Sequence, residues 1–208
     1  MDSPAEQALL DRVHGGDRAA LGELLRTHQQ RIYHVCLRMV SQPDDAAELA
    51  QDVMVKVVQK IDGFRGDAKL STWMTRIAMN LSISHLRKRR LRHTVSIDAA
   101  SGAGPAATSG HASDNGTGLS LAGRLPDDRE PGPERCVEQK EMLDELQRAI
   151  AGLDDDQRAV LVLRDVEQWD YQQIAETLEL PVGTVKSRLF RARLALRQRM
   201  DPASAEPA

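Results

Sequence analysis

Residues 94–133 divide this chain. Gly, Ala, Ser, Pro and Asp dominate the stretch and large apolar side chains are scarce. Such a segment cannot bury enough surface to offset the entropy of ordering it. Its length, about forty residues, is far beyond an ordinary loop inside a compact domain. The reading is a flexible linker. The rest of the chain must then fold on either side of it, as two small units at residues 1–93 and 134–200, with a frayed tail at 201–208.

Both units read as helical. Aromatic residues and β-branched runs are few, while Ala, Leu, Arg, Glu and Gln are abundant, a mix that favours helices. No alternating apolar–polar run bounded by turn signals marks a strand. The fold class is therefore all-α: two small helical domains joined by a flexible linker. Ser3 as cap, Pro4 in the first turn and Glu6 completing a capping box open a first helix. It runs to about His14, where Gly15-Gly16 stops it. Asp17 caps a long helix with Leu21, Leu24, Leu25, His28, Ile32, Val35 and Met39 at three-and-four spacing. Ser41-Gln42-Pro43 breaks it. Asp44 and Asp45 open a third helix to about Ile61, where acids suit the N-terminal dipole. After the loop GFRGDAKL, Ser71 caps a fourth helix over residues 72–92 that ends in RKRRLR.

Beyond the linker, helices are expected over 134–151, from the Asp154–Asp156 run to about Val166, over 171–178, and from Pro181 to about Met200. Asp170 and Gln173 have the spacing of a capping box. Two short helices separated by Glu179-Leu180-Pro181 make a helix-turn-helix pattern in the C-terminal unit.

The net charge of −3 hides segregation. Residues 61–93 hold eight Lys/Arg against two Asp/Glu, and residues 171–200 hold six against two. Residues 137–170 hold four against ten. Two basic blocks in an otherwise acidic chain imply two anion-facing surfaces. Cys36 and Cys136 do not make a disulfide framework, which favours a reducing compartment. The stretch MDSPAEQALLDRV has no basic n-region or long apolar run. No stretch approaches the roughly 18–20 apolar residues of a membrane span. A cytoplasmic protein without membrane insertion is expected. His14, His28, His34, His85, His93 and His111 form no metal-spaced set with the cysteines. No phosphate-binding Gly loop or nucleophile elbow occurs. Neither an enzyme nor a cofactor is expected.

The last helix carries Val182, Val185, Leu189, Ala192, Leu196 and Met200 on one narrow stripe, its core face. Ser187, Phe190, Arg191 and Leu194 point away from it, and Lys186 and Arg188 flank it. Arg-rich amphipathic helices are usually only solvated. A short helix with an apolar back and a basic front, following another short helix, also fits the major groove. There, Phe190 can pack on a thymine methyl, and the cations can take phosphates or guanine edges.

The stretch FRGDAKLSTWMTRIAMNLSISHLRKRR is less ordinary. Met74, Ile77, Ala78, Leu81 and His85 share a core face, while Trp73, Arg76, Asn80, Ser84 and Arg87 share another. Taken alone, Trp73 reads as buried and RKRRLR as a solvated helix end. An aromatic, an amide and two arginines in one row, with Phe64, Arg65 and Lys69 in the adjoining loop, suit an unstacked base better. One duplex reader and one strand opener is the combined reading.

These two stretches, FRGDAKLSTWMTRIAMN with its basic run and LDDDQRAVLVLRDVEQWDYQQIAETLELPVGTVKSRLFRAR, closely resemble bacterial extracytoplasmic function (ECF) sigma factors. The resemblance covers nearly the whole chain except the linker and tail. It implies region 2 of the family in residues 1–93 and region 4 in residues 134–200. It implies core RNA polymerase (clamp coiled coil and flap), promoter DNA as duplex and as melted strand, and an anti-sigma protein as partners. The resemblance places Lys186, Ser187, Arg188, Phe190 and Arg191 on the minus-35 element, with Thr184 near the backbone. It puts Phe64, Lys69, Trp73, Arg76 and Asn80 on the minus-10 element. It also docks Gln51, Asp52, Val55 and Lys56 on polymerase, where residues alone give only an amphipathic core helix. The rival is a free-standing helix-turn-helix regulator. It leaves Trp73, Asn80 and residues 63–70 idle, and it usually needs a dimer.

Overall fold

The structure is a computed structural model that describes residues 4–100 and 133–201, with side chains described over 4–92 and 141–201. Ser3, the tail from 202 and residues 101–132 of the expected linker lie outside the described residues. Among the described residues every regular element is a helix or helical turn, with no strand. The elements are α1 (Pro4–His14), α2 (Arg18–Val40), α3 (Pro43–Lys60), a 3-10 turn (Ile61–Gly63) and α4 (Leu70–Ala100). After the gap come α5 (Pro133–Ala151), α6 (Asp155–Leu161), a π turn (Val162–Val166), α7 (Tyr171–Leu178) and α8 (Val182–Met200).

Local chemistry sets most of these boundaries. The α1 end turns at Gly16, whose φ of 85° is open to glycine without strain. Asp17 caps α2 by accepting the N–H groups of Ala19 and Ala20. Ser41 closes α2 in the left-handed region and donates its N–H to the Leu37 carbonyl. Pro43 stands at the start of α3, where its missing N–H costs nothing to that helix. Glu6 is not only a first-turn acid, because its carboxylate meets His28 Nε2 at 2.7 Å and ties α1 to α2.

α4 departs from expectation at both ends. It starts at Leu70, so Ser71 lies inside it, and the Trp73 N–H already bonds the Lys69 carbonyl at 3.0 Å. It continues to Ala100, past residue 92 and into the stretch assigned to the linker. Its buried stripe is Met74, Thr75, Ala78, Met79, Ser82 and Leu86, while Ile77, Leu81 and His85 are half-exposed. The stripe is rotated from the expected one because α4 packs on α2 and α3 together. Thr75 and Ser82 are small enough to sit in that helix–helix contact.

In the first domain, α2 packs on α1, α3 and α4 through Leu24, Ile32, Val35 and Met39. Each such large side chain contributes about 1.5–3 kcal/mol on burial. In the second, α8 packs on α5, α6 and α7 around Val160, Leu163, Trp169, Ile174, Val185 and Leu189. The helix-turn-helix is present as expected. Asp170 and Gln173 form the reciprocal capping box on α7, and Glu179 ends α7 in the left-handed region with φ 55°.

The two domains also lie against each other. α2 meets α5, α6 and the π turn, and α4 meets α6 and α7. Arg31 pairs with Glu167 at 2.6 Å and Arg90 with Asp155 at 3.1 Å.

Candidate nucleic-acid interface

α8 presents the face that the helical wheel assigns to a groove. Val185, Leu189 and Ala192 are buried beneath it. Lys186, Ser187, Phe190 and Arg191 stand out, and Phe190 is 70% exposed. Leu194, one turn on, is exposed as well. The face thus combines an exposed aromatic ring with two exposed cations, Lys186 and Arg191. Thr184 is half-buried, and its carbonyl accepts the Ser187 hydroxyl at 3.0 Å, which fixes that side chain. Lys186 lies 5.6 Å from the Tyr171 ring centre, and Arg164 lies 4.8 Å from the same ring. Arg164 also donates to the Trp169 carbonyl at 2.6 Å. Tyr171 at the start of α7 therefore gathers two cations beside the turn. The sequence reading missed Arg164 and Tyr171; no local pattern pairs residues 164, 171 and 186. Arg188 faces another way. It is half-buried and pairs with Asp156 at 3.1 Å.

The α4 row is only partly free. Phe64 is 7% exposed and its ring lies 5.2 Å from that of Trp73, tilted by 44°. Phe64 thus supports Trp73 from below and offers no face of its own. Trp73 is half-buried against the core, which joins the two readings of that residue. Lys69 is exposed at the helix start. Arg76 is exposed but its Nε donates to Thr177 Oγ1 at 3.1 Å. Asn80 is exposed into a cleft of about 290 Å³ together with Ser84 and Arg87, facing Thr177, Glu179 and Leu180 of the second domain. The third set lies on α3. Gln51, Asp52 and Val55 are exposed and Lys56 half-exposed. Val58, not picked out from sequence, adds to Val55 an apolar strip on the same face, 44% and 54% exposed. Its signal was there: Val55 and Val58 are three apart, on a stripe opposite Val53 and Val57.

A helix-turn-helix with a basic, aromatic front, joined to a second helical domain with its own basic helix, defines a two-domain DNA-reading protein. Comparison with known proteins narrows the class. The family profile Sigma-70 region 2 matches residues 24–92, and Sigma-70, region 4 matches residues 143–196. The ECF RNA polymerase sigma factor SigW of Bacillus subtilis is 31% identical over 92% of this chain and 94% of its own. The RNA polymerase sigma-H factor of Pseudomonas aeruginosa is 32% identical over 95% of this chain and 94% of its own. Among solved structures, the sigma factor RpoE of Bartonella quintana, in complex with the anti-sigma factor NepR, shares the fold with a TM-score of 0.59 at 23% identity. That match covers 86% of this chain and 96% of the other. CnrH, in complex with the cytosolic domain of CnrY, shares it with a TM-score of 0.57 at 20% identity, over 96% and 99%. The chain belongs to the ECF sigma factors.

Proposed function

We propose that this sigma factor binds core RNA polymerase and divides promoter reading between its two domains. α8 reads the minus-35 element as duplex, and the start of α4 captures the melted minus-10 element. The observation that supports the reading is the outward face of α8, with Lys186, Ser187, Phe190 and Arg191 exposed above a buried apolar back. Lys186 and Arg191 take phosphates, which set register, while Ser187 and Phe190 reach base edges, which set choice. Thr184 stays near the backbone, and Arg188 joins once released from Asp156. On α4, Trp73 stacks, Asn80 hydrogen-bonds an unstacked base, and Lys69 and Arg76 hold phosphates. Phe64 holds Trp73 in place. Gln51, Asp52, Val55 and Lys56 on α3 dock on the clamp of polymerase, and an anti-sigma protein masks these surfaces. The protein acts by binding in the cytoplasm, and the chemistry belongs to polymerase. No described helix is long and apolar enough to cross a membrane.

The test is transcription by purified core RNA polymerase on host genomic fragments, with and without the protein. New start sites that require it and share two spaced elements are expected. Duplex binding with no start sites and no complex with core would instead make the protein a free-standing regulator.

A further inference from the structure

We propose that Arg193 is a positioning residue. Paired with Asp165, it sets the roll of α8, and so the sharpness with which the minus-35 element is read, without touching DNA itself. The inference rests on the role given above to the outward face of α8.

The seam beneath that face does not fix the helix on its own. α8 is buried through Val185, Leu189 and Ala192. Apolar burial has no direction, and one of the three side chains is a single methyl group. Such a seam holds the helix down but leaves its rotation loose. Rotation matters to a reader. A roll of about 20° moves a side-chain tip on an α-helix by about 2 Å, enough to break a hydrogen bond to a base edge. Fixing the roll takes a directional contact beside the seam.

At 100° per residue, Arg188 and Arg193 flank the seam on opposite sides, each about 70° from it. Each meets an aspartate, Asp156 of α6 and Asp165 of the π turn. The two pairs differ. Arg188 makes one contact, at 3.1 Å, with a carboxylate that is 62% exposed. Arg193 makes two, Nε to Oδ2 at 3.0 Å and Nη2 to Oδ1 at 2.5 Å. A two-point bond between planar groups fixes an angle that a single contact leaves open. Arg188 is therefore the cation able to turn to the promoter, and Arg193 is the one that stays.

Asp165 is a firm anchor. The Glu167 N–H bonds the Val162 carbonyl five residues back at 3.0 Å, and Val162 and Leu163 are buried. The Gln168 side chain donates to the Asp165 carbonyl at 2.8 Å. Short π turns gather at functional sites. An exposed ion pair contributes little to stability, so the worth of this one is orientation. Its carboxylate also repels phosphate, which makes Arg193 a poor backbone contact.

The test uses the full chain assembled with core RNA polymerase and a duplex library randomised over about one helical turn, sequenced before and after selection by binding. The natural chain should enrich one element. Arg193→Ala should lower the preference for that element over scrambled duplex by about ten-fold, with scrambled binding unchanged. Arg193→Lys keeps the charge but not the two-point bond, and should not recover the preference. Arg193→Asp combined with Asp165→Arg should recover it. The slope of log affinity against log salt should stay the same in Arg193→Ala, whereas Lys186→Ala, which removes a phosphate contact, should lower its magnitude by about one. A preference undiminished in Arg193→Ala, or not recovered by the swapped pair, would overturn the clamp. A salt slope reduced by about one in Arg193→Ala, or full recovery by Arg193→Lys, would overturn it too and make Arg193 a backbone contact. If the natural chain enriches no element, the reading of α8 falls, and the clamp with it.

Discussion

Cys36 is fully covered in the first-domain core, and burial pushes its thiol up to about 11. The thiolate is the reactive form, so almost none is present near neutral pH. A maleimide should leave Cys36 unmodified in the native protein and reach it only in denaturant; mass spectrometry of labelled peptides checks this, and native labelling at Cys36 would show that the core opens. Asp17 carries a charge-dependent contribution of the opposite kind. The N–H of Ala20 and the guanidinium of Arg12 hold its carboxyl below the ordinary 3.8. A carboxyl depressed in the folded state stabilises in full above the ordinary value, and that contribution is lost as pH falls through the lower folded value. Asp17→Asn keeps a capping oxygen but removes the charge. The stability gap between the natural protein and this variant should be open well above the ordinary 3.8 and shrink as the pH is taken below it, as read by urea unfolding at a series of pH values. A gap independent of pH would mean that the charge on Asp17 contributes nothing through either Ala20 or Arg12. For function, Asn80→Ala should leave closed-complex binding intact and weaken the permanganate signature of melted DNA, whereas Lys186→Ala should weaken upstream duplex protection first.

The turn of the helix-turn-helix is the element on which the readout depends, since it sets the angle between α7 and α8. Its pivot, Glu179, has φ 55°. A non-glycine residue there stores strain of about 1 kcal/mol. Glu179→Gly should therefore stabilise the protein by up to about 1 kcal/mol, while Asp170→Ala, which removes the α7 cap, should cost about 1 kcal/mol. Paired thermal and urea unfolding would check both signs. The signals for this element are local, which is why it was legible from sequence: the caps Asp17 and Asp170, the stops at Gly16 and Pro43, and the turn before Pro181 all lie within a few residues of what they control. α4 was legible only in part. Periodicity located a buried stripe, but the helix packs on α2 and α3 at once, so the stripe that wins includes Thr75 and Ser82, which a hydropathy wheel counts as polar. Phe64 was misplaced for the same reason, because a loop aromatic carries no periodicity to say whether it covers a neighbour or faces solvent.

At the scale of the molecule, the contact between domains is what the sequence concealed. Arg158 meets Met39 across 119 positions, and no spacing rule links residues so far apart. The one visible trace is a charge on the same stripe as Leu161 and Val162, three and four residues on. The same packing leaves two outward faces untouched by the domain boundary, α3 and the front of α8, and the proposed function gives them different partners. On α3, Val55 and Val58 form an apolar strip beside Gln51 and Asp52. Exposed valines stabilise nothing within the chain, so changing them should cost little in folding. If the strip meets polymerase, a charge at its centre must be desolvated against an apolar partner, a penalty of a few kcal/mol. Val55→Glu should then weaken core polymerase binding by about 100-fold, and Asp52→Ala by less, with unfolding curves and minus-35 duplex contact both unchanged. Titration of labelled core polymerase, run beside a duplex footprint, separates the cases. An unaltered core affinity would remove α3 from the interface, and a loss of duplex contact as well would mean that the two faces are not independent.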